Sequence, residues 1–335
     1  MPDNPGLLGG ATDPATGAPA PSTGVGGSTA PVEAMPSPES FVDTSVAAVA
    51  ARSQGRAILR RFLRHRLAMA SLVLFVAILL LDEIGSRLWP YTYSQLTDAL
   101  NSGPTGGHPF GTDGVGHDMF AQVMRASLTS IELSLVVAAV SMVIGVAIGA
   151  LAGYYRSWPE AFLMRFTDLI LTIPILAILL VLSRQAARHA GSWLFIGLII
   201  GFVIWTSVAR LVRGALLSLR ERDFIEAARA LGAGDGRIIL RHLLPNAVGP
   251  IIVNTTLSVA TAILLESTLS FLGLGVQPPQ TSLGLLISQN QGAATTEWWL
   301  FAFPAIFLVV IVLCVNFIGD GLRDAFDPRQ TRVRA

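Results

Sequence analysis

Six runs of apolar residues, each near the roughly 20 that carry a helix across a bilayer, dominate this chain of 335 residues. The first, LAMASLVLFVAILLL, begins at Leu67; the others centre on residues 126–154, 161–182, 192–209, 248–272 and 298–318. Lipid offers no hydrogen bonds, so a backbone crossing it must satisfy its own polar groups, and runs of this length do so as helices. Composition agrees. Hydrophobic residues make up 52% of the chain and charged ones 13%, where a soluble domain carries about a quarter charged. The expected fold is an all-α integral membrane protein with six transmembrane helices.

The placement of charge gives the expected orientation. All 23 basic residues are arginine. Six of them, Arg52, Arg56, Arg60, Arg61, Arg64 and Arg66, immediately precede the first apolar run. With six spans and both termini inside, 19 arginines fall on the cytoplasmic side and four outside: Arg87, Arg125, Arg184 and Arg188. That asymmetry is the positive-inside pattern. The absence of lysine removes Schiff-base chemistry and the Walker A loop, so any nucleotide hydrolysis belongs to another chain. Cys314, the one cysteine, has no intrachain disulfide partner.

Four segments follow. Residues 1–55 are rich in Pro, Gly, Ala, Ser and Thr and lack the apolar block of a signal peptide, which predicts a disordered cytoplasmic tail. Residues 56–125 hold the first span and an external loop, 82–125. Residues 126–320 form a five-helix core interrupted by an internal loop, 210–247, and residues 321–335 form a cytoplasmic C-terminal tail. Loops as long as these two are functional or disordered rather than mere connections.

The internal loop contains EAARALGAGDGRIILRHLLPNA, residues 226–247. Asp223 is placed to cap a helix whose third residue is Glu226, a capping-box spacing. Phe224, Ala227, Ala228 and Leu231 recur at i, i+3, i+4 and i+7 and predict one apolar face. Gly232 suits the left-handed turn that ends such a helix. A second short helix is expected from Asp235 to Pro245. Chemistry alone leaves two uses for the pair: a helix lying on lipid headgroups, favoured by its arginines, or a lever meeting another protein.

The order Glu226, Ala227, Ala228, then Gly232, then Leu244 and Pro245 resembles the cytoplasmic signature loop of permease subunits of bacterial binding-protein-dependent ABC importers. HPFGTDGVGHD (108–118), ESTLSFLGLGVQPP (266–279) and NFIGDGLRDAFDP (316–328) resemble the C-type permease subunits of dipeptide, oligopeptide and nickel importers, so the likeness spans residues 56–328. It implies a type I importer permease in the bacterial cytoplasmic (inner) membrane, carrying di- or oligopeptides. It also implies that the loop is a coupling helix docked on an ATP-binding subunit. The implied partners are a homologous second permease, two ATP-binding subunits that hold ATP and Mg, an extracytoplasmic substrate-binding protein and membrane lipid, with no nucleic acid and no cofactor on this chain. His108, Asp113, His117 and Asp118 would face the binding protein. Departures from the family pattern, His117 between Gly116 and Asp118, Gln122, Leu128 and Leu283, lie on that outer side; Ala305 after Pro304 is a further one.

Two carboxylates fall within apolar runs, Asp168 and Glu266, and an intramembrane acid defaults to a functional role or a partnered one. Arg165 stands three residues from Asp168, which leaves a local pair and a place on the translocation path equally open for that carboxylate, and Glu266 is expected to bond another helix or line the translocation path. An alternative function, a proton-coupled secondary transporter, would use both as its relay; the lack of an internal inverted repeat speaks against it. Gly273 and Gly275 predict close packing or a bend, closed off by Pro278 and Pro279. Trp298 and Trp299 are expected interface anchors. The chain holds five histidines, 65, 108, 117, 189 and 242, with no paired ligand spacing, so no metal site is expected; no catalytic dyad or nucleic-acid motif is present either.

Overall fold

The computed structural model describes residues 54–186 and 192–327, all within one compact unit. Residues 1–53 of the expected disordered tail, Arg52, Arg188, Arg329, Arg332 and Arg334 of the charge argument, and His189 lie outside the described residues, while Gln54 and Gly55 of that tail open a helix. The elements are α1 (Gln54–Arg64), α2 (Arg66–Leu88), α3 (Met119–Tyr154), α4 (Trp158–Thr172), α5 (Ile175–Ala186), α6 (Trp193–Leu219), α7 (Asp223–Ala230), α8 (Asp235–Arg237), α9 (Leu244–Phe271), α10 (Leu283–Asn290) and α11 (Trp298–Phe326). A π-helical stretch, Ile238–Leu243, joins α8 to α9. Among the described residues five helices are long and apolar enough to cross a membrane, and α4 with α5 make a sixth candidate.

That sixth span is not the continuous helix expected over 161–182. It is bent by 81° between α4 and α5. Pro174 has no N–H and disfavours helical geometry in the residue before it, and Ile173 is accordingly extended, at φ −85° and ψ 130°. Hydropathy runs unbroken across the site, which is why a composition argument reads through it.

The centre of the molecule is the pair α3 and α6. Gly145, Gly149 and Gly153 stand four residues apart on α3, and a Cβ at each would meet α6: Val208 Cβ at 2.5 Å, the Ala209 carbonyl at 2.5 Å and Leu216 Cβ at 2.8 Å. Gly201 of α6 returns the arrangement, with Val140 Cβ 2.8 Å from its virtual Cβ. Apolar lipid gives helices no hydrophobic reason to associate, so close backbone approach over small residues supplies the packing. The repeat is legible as GVAIGALAG, yet it sits inside an apolar run whose mean hydropathy masks it.

At one end of this pair, α2 and α11 pack side by side. His65 caps α2 by accepting from the Ala68 N–H at 3.1 Å, and its other ring nitrogen lies 3.4 Å from Asp324. Instead of ending near Gly319, α11 runs on to Phe326. At the opposite end α10 lies against α9: Cβ atoms at Gly275 and Gly284 would sit 2.6 Å from Ser270 Cα and 2.5 Å from Ser267 Cα. The departure at Leu283 and Gly284 therefore keeps the small residue at the point of contact and buries the larger one beside it.

Gly149→Leu should lower the stability of the purified chain by about 1–3 kcal/mol through overpacking, read as a drop in thermal unfolding temperature in detergent. Gly214→Ala, which meets nothing within 4 Å, should leave it unchanged.

Candidate functional site

The site is the loop that crosses the end of the α3–α6 pair. It is shorter than the expected 210–247, because α6 continues to Leu219 and carries Arg210 and Arg213 as helical residues. The loop's root is Arg220, whose guanidinium is buried and donates to the carbonyls of Gly153 (3.3 Å) and Tyr154 (3.1 Å). These are among the last carbonyls of α3, groups with no partner inside their own helix. Two further ties fix the loop on α3: the Tyr154 hydroxyl donates to Asp235 at 2.7 Å, and Arg229 stands over the Tyr154 ring at 5.9 Å. Charge counting treated Arg220 as one of the cytoplasmic arginines; nothing local in the sequence marks it as turned inward.

Within the loop, α7 departs from its expected start. Arg222 is the N-cap residue, without a side-chain bond, and Asp223 is the first helical residue. The capping box is therefore not formed. Asp223 and Glu226 instead place two carboxylates in the first turn, where the positive end of the helix dipole favours them. The expected apolar face is split as well. Ile225 is buried in one cluster with Leu216, Ile238 and Leu243, and Ala228 is buried as well. Phe224 is 41% exposed, Leu231 88%, and Ala227 lies exposed between them. The loop therefore buries Ile225 and turns the aromatic outward.

Gly232 takes φ +79°. Its N–H reaches the Arg229 carbonyl at 2.9 Å, and that of Ala233 reaches Ala228 at 3.0 Å. These two bonds form the Schellman closure, which needs a left-handed residue at this position. The second helix does not stop at Pro245. The chain continues from Asp235 through the π-helical stretch into α9, the Leu244 N–H bonding the Ile239 carbonyl five residues back. A widened turn absorbs the donor that proline lacks. Leu244 and Pro245 therefore open α9, joining the loop to a membrane-spanning helix without a hinge residue between.

Asp168 is not paired with Arg165. It accepts from Arg210 at 2.6 Å, and about two turns earlier on α4 Glu160 accepts from Arg213 Nε at 3.0 Å. Both pairs bind α4 to α6, and both arginines lie 42 or more residues away in sequence, beyond any local rule. Glu266 is fully buried and accepts at one oxygen from Ser270 and Ser282, each at 2.7 Å. Ser282 is the N-cap of α10, so Glu266 joins α9 to α10. Its other oxygen has no hydrogen-bond partner among the described residues, and neither carboxylate oxygen of Asp82, buried on α2, has one. Asp82 had been placed at the edge of the external loop; helix α2 carries it inward.

At the other end of the bundle, the segment expected to be the external loop is a compact knot. Asp118 is buried: it caps α3 through the Ala121 N–H (2.8 Å), accepts from the Trp89 indole (3.0 Å) and meets His108 at 2.6 Å. It is a structural residue with no surface to offer an external protein, and His108 is held against it. Asp113 collects the N–H groups of Val115, Gly116 and His117 (2.8–3.0 Å) and the His117 ring. Asp113 and His117 do line an outer cavity of about 490 Å³, with Gln122, Pro278 and Gln289. Trp298 is half exposed, whereas Trp299 packs on Gly103 and Gly111 and reaches the Thr112 carbonyl at 3.4 Å, so only the first has the setting of an anchor. Among the described residues no group of three His, Cys, Asp or Glu side chains is placed to hold a metal ion.

The described residues form a bundle of long apolar helices with a charged loop projecting from one end, the build of a membrane-embedded component. A family model described as "Binding-protein-dependent transport system inner membrane component" matches residues 145–332. A second, "N-terminal TM domain of oligopeptide transport permease C", matches residues 53–104. The oligopeptide transport system permease protein OppC of Mycobacterium bovis is 40% identical over 283 residues, covering 84% of this chain and 97% of that one. A putative peptide permease protein of Brucella suis biovar 1 is 43% identical, covering 80% and 89%. OppC of Haemophilus influenzae is 37% identical, covering 81% and 87%. Among solved structures, an inward-facing MetNI methionine ABC transporter matches with a TM-score of 0.52 at 22% identity, over 62% of this chain and 98% of that one, a likeness of fold.

The chain belongs to the family of inner-membrane components of binding-protein-dependent transport systems. It is a multi-pass, pore-forming permease subunit, and nucleotide chemistry in this family lies on partner ATP-binding chains.

Arg220→Met should leave the last α3 carbonyls unpaired at a cost of about 1–3 kcal/mol. Hydrogen exchange of amides 223–233 in the detergent-solubilised chain should speed up while that of α3 residues 130–145 stays at the wild-type rate.

Proposed function

We propose that this chain forms one half of the pore of an ATP-driven importer of di- or oligopeptides in a bacterial cytoplasmic membrane, with both termini in the cytoplasm. The observation that carries the proposal is the anchored, outward-facing apolar surface of α7. Phe224, Ala227 and Leu231 are presented by a helix clamped to α3 through Arg220 and continuous with α9 through Pro245. In this reading α7 is the coupling helix. A groove on an ATP-binding subunit takes the exposed face, with Asp223 and Glu226 at its rim. Closure of two ATP-binding subunits displaces α7, and because Leu244 and Pro245 follow without a flexible joint, the displacement passes into α9. The ligand, ATP on the partner, thereby biases a two-state membrane gate.

The remaining partners are a second, homologous permease and an external binding protein. That protein would meet the outer cavity lined by Asp113 and His117 rather than the buried Asp118. Peptide as cargo is supported by the names of the M. bovis and B. suis relatives. A proton-coupled carrier has little to work with: Asp168 is ion-paired to Arg210, and Glu266 is held by two serines.

Reconstituted with its neighbouring subunits in proteoliposomes, the complex should take up peptide only with ATP; uptake that ignores ATP and follows an imposed pH gradient would reject the importer reading. Phe224→Ser with Leu231→Ser should cut copurification of the ATP-binding subunit at least roughly tenfold, the scale of losing two buried apolar anchors. Gly232→Val has open space around it, but the left-handed turn penalises a branched side chain by about 1–2 kcal/mol. It should leave assembly intact and lower peptide taken up per ATP hydrolysed; Glu226→Ala should weaken ATP-binding-subunit retention in a pull-down.

A further inference from the structure

Two cavities of about 430 and 450 Å³ border α9 and have Asn254 and Leu257 in common. The first lies in the angle of the broken span, between Ile173 and Pro174 on one side and Thr206 and Ser207 of α6 on another. The second reaches Arg323 and Asp327 at the end of α11, beside the loop-bearing end of α9. The α9 residues that line them include Pro250, Val253, Asn254, Leu257, Ser258 and Thr261. Their spacing of three and four is one face of a helix. At 1.5 Å per residue the stripe is about 16 Å long, near half the hydrocarbon thickness of a bilayer.

The chemistry of the stripe is specific. Ser258 and Thr261 donate their hydroxyl protons to the carbonyls of Asn254 (2.9 Å) and Leu257 (3.2 Å) of their own helix, which leaves oxygen lone pairs as acceptors. Asn254 stands where the two cavities meet, and its amide oxygen has no hydrogen-bond partner among the described residues. None of the described residues lining the first cavity is charged. Asn254, Ser258 and Thr261 are the polar members of the stripe, and polar groups on a membrane helix cost free energy against lipid tails, which favours an occupant that hydrogen-bonds.

Resting on the importer reading above, we propose that this stripe is the chain's share of the cargo path and that Asn254, at its waist, recognises the cargo as an uncharged amide backbone. Asparagine and hydroxyl groups bond the N–H and C=O of any peptide and impose no fixed charge on its side chains. Charge selection is thereby left to other components, and the path admits peptides of either sign.

The test uses the full complex in proteoliposomes and three tripeptides of equal length with net charge −1, 0 and +1. Asn254→Asp should raise the ratio of cationic to anionic peptide uptake about tenfold over wild type, and Asn254→Arg should lower it by a similar factor, the scale of one close charge in a partly wet site. A purely structural role would slow all three peptides alike and leave the ratio unmoved, and that result overturns the assignment. Should the charged variants not assemble, Asn254→Cys in a Cys314→Ala background, labelled after assembly with an anionic or a cationic thiol reagent, reads the same ratio. Failure to label, as expected if lipid or a helix of the second permease covers the stripe, also overturns it. A wild-type complex with no ATP-driven peptide uptake would instead remove the importer reading and this proposal together.

Discussion

Everything in this molecule is arranged around the close approach of α3 and α6 over glycine. Inside a bilayer the usual driving force for helix association is missing, and what replaces it is contact between backbones. Gly145, Gly149 and Gly153 bring α6 so near that its carbonyls and Cβ atoms occupy the space side chains would need. Because the pair is rigid, its end is a fixed platform. Arg220 uses that platform, capping α3 from the residue that follows α6, so the two helices and the loop beyond them move as one piece.

Rigidity at the loop is obtained without a large core. Eight residues of α7 bury chiefly Ile225 and Ala228, too little to hold a helix of that length in water. Its position comes from polar ties instead: the Arg220 clamp, the Tyr154–Asp235 bond and the Schellman closure at Gly232. The apolar residues thus spared from the interior, Phe224 and Leu231, stay exposed. On the other side of the loop the π-helical stretch removes the hinge that Pro245 would otherwise make, so force applied to α7 has a direct path into α9.

The carboxylates follow a single economy. Asp168 and Glu160 are matched by Arg210 and Arg213 across the α4–α6 seam, Glu266 by serines across α9 and α10, and Asp118 by an indole, a histidine and a helix N-terminus. Each joins two segments that hydropathy alone would leave as separate rods. The break at Pro174 opens a cavity beside α9, and the polar stripe on α9 lines it. The cavity thus comes from a bent helix facing a partly polar one.

Much of this was legible before any coordinates. Length and hydropathy determine which segments enter lipid, because that choice depends on each segment's own transfer free energy. The left-handed turn at Gly232 was legible for a similar reason: it is a property of one residue's backbone and its immediate neighbours. Pro174 carried an equally local signal that the apolar average concealed, and the glycine repeat of α3 was hidden in the same way. What the tertiary structure alone decided is who meets whom. Arg220 turns inward, Asp168 finds Arg210 rather than Arg165, Asp223 starts α7 without capping it, and Asn254 comes to stand between two cavities. Each outcome depends on surfaces supplied by residues distant in the chain, and a sequence read along its length holds no measure of the distance between them.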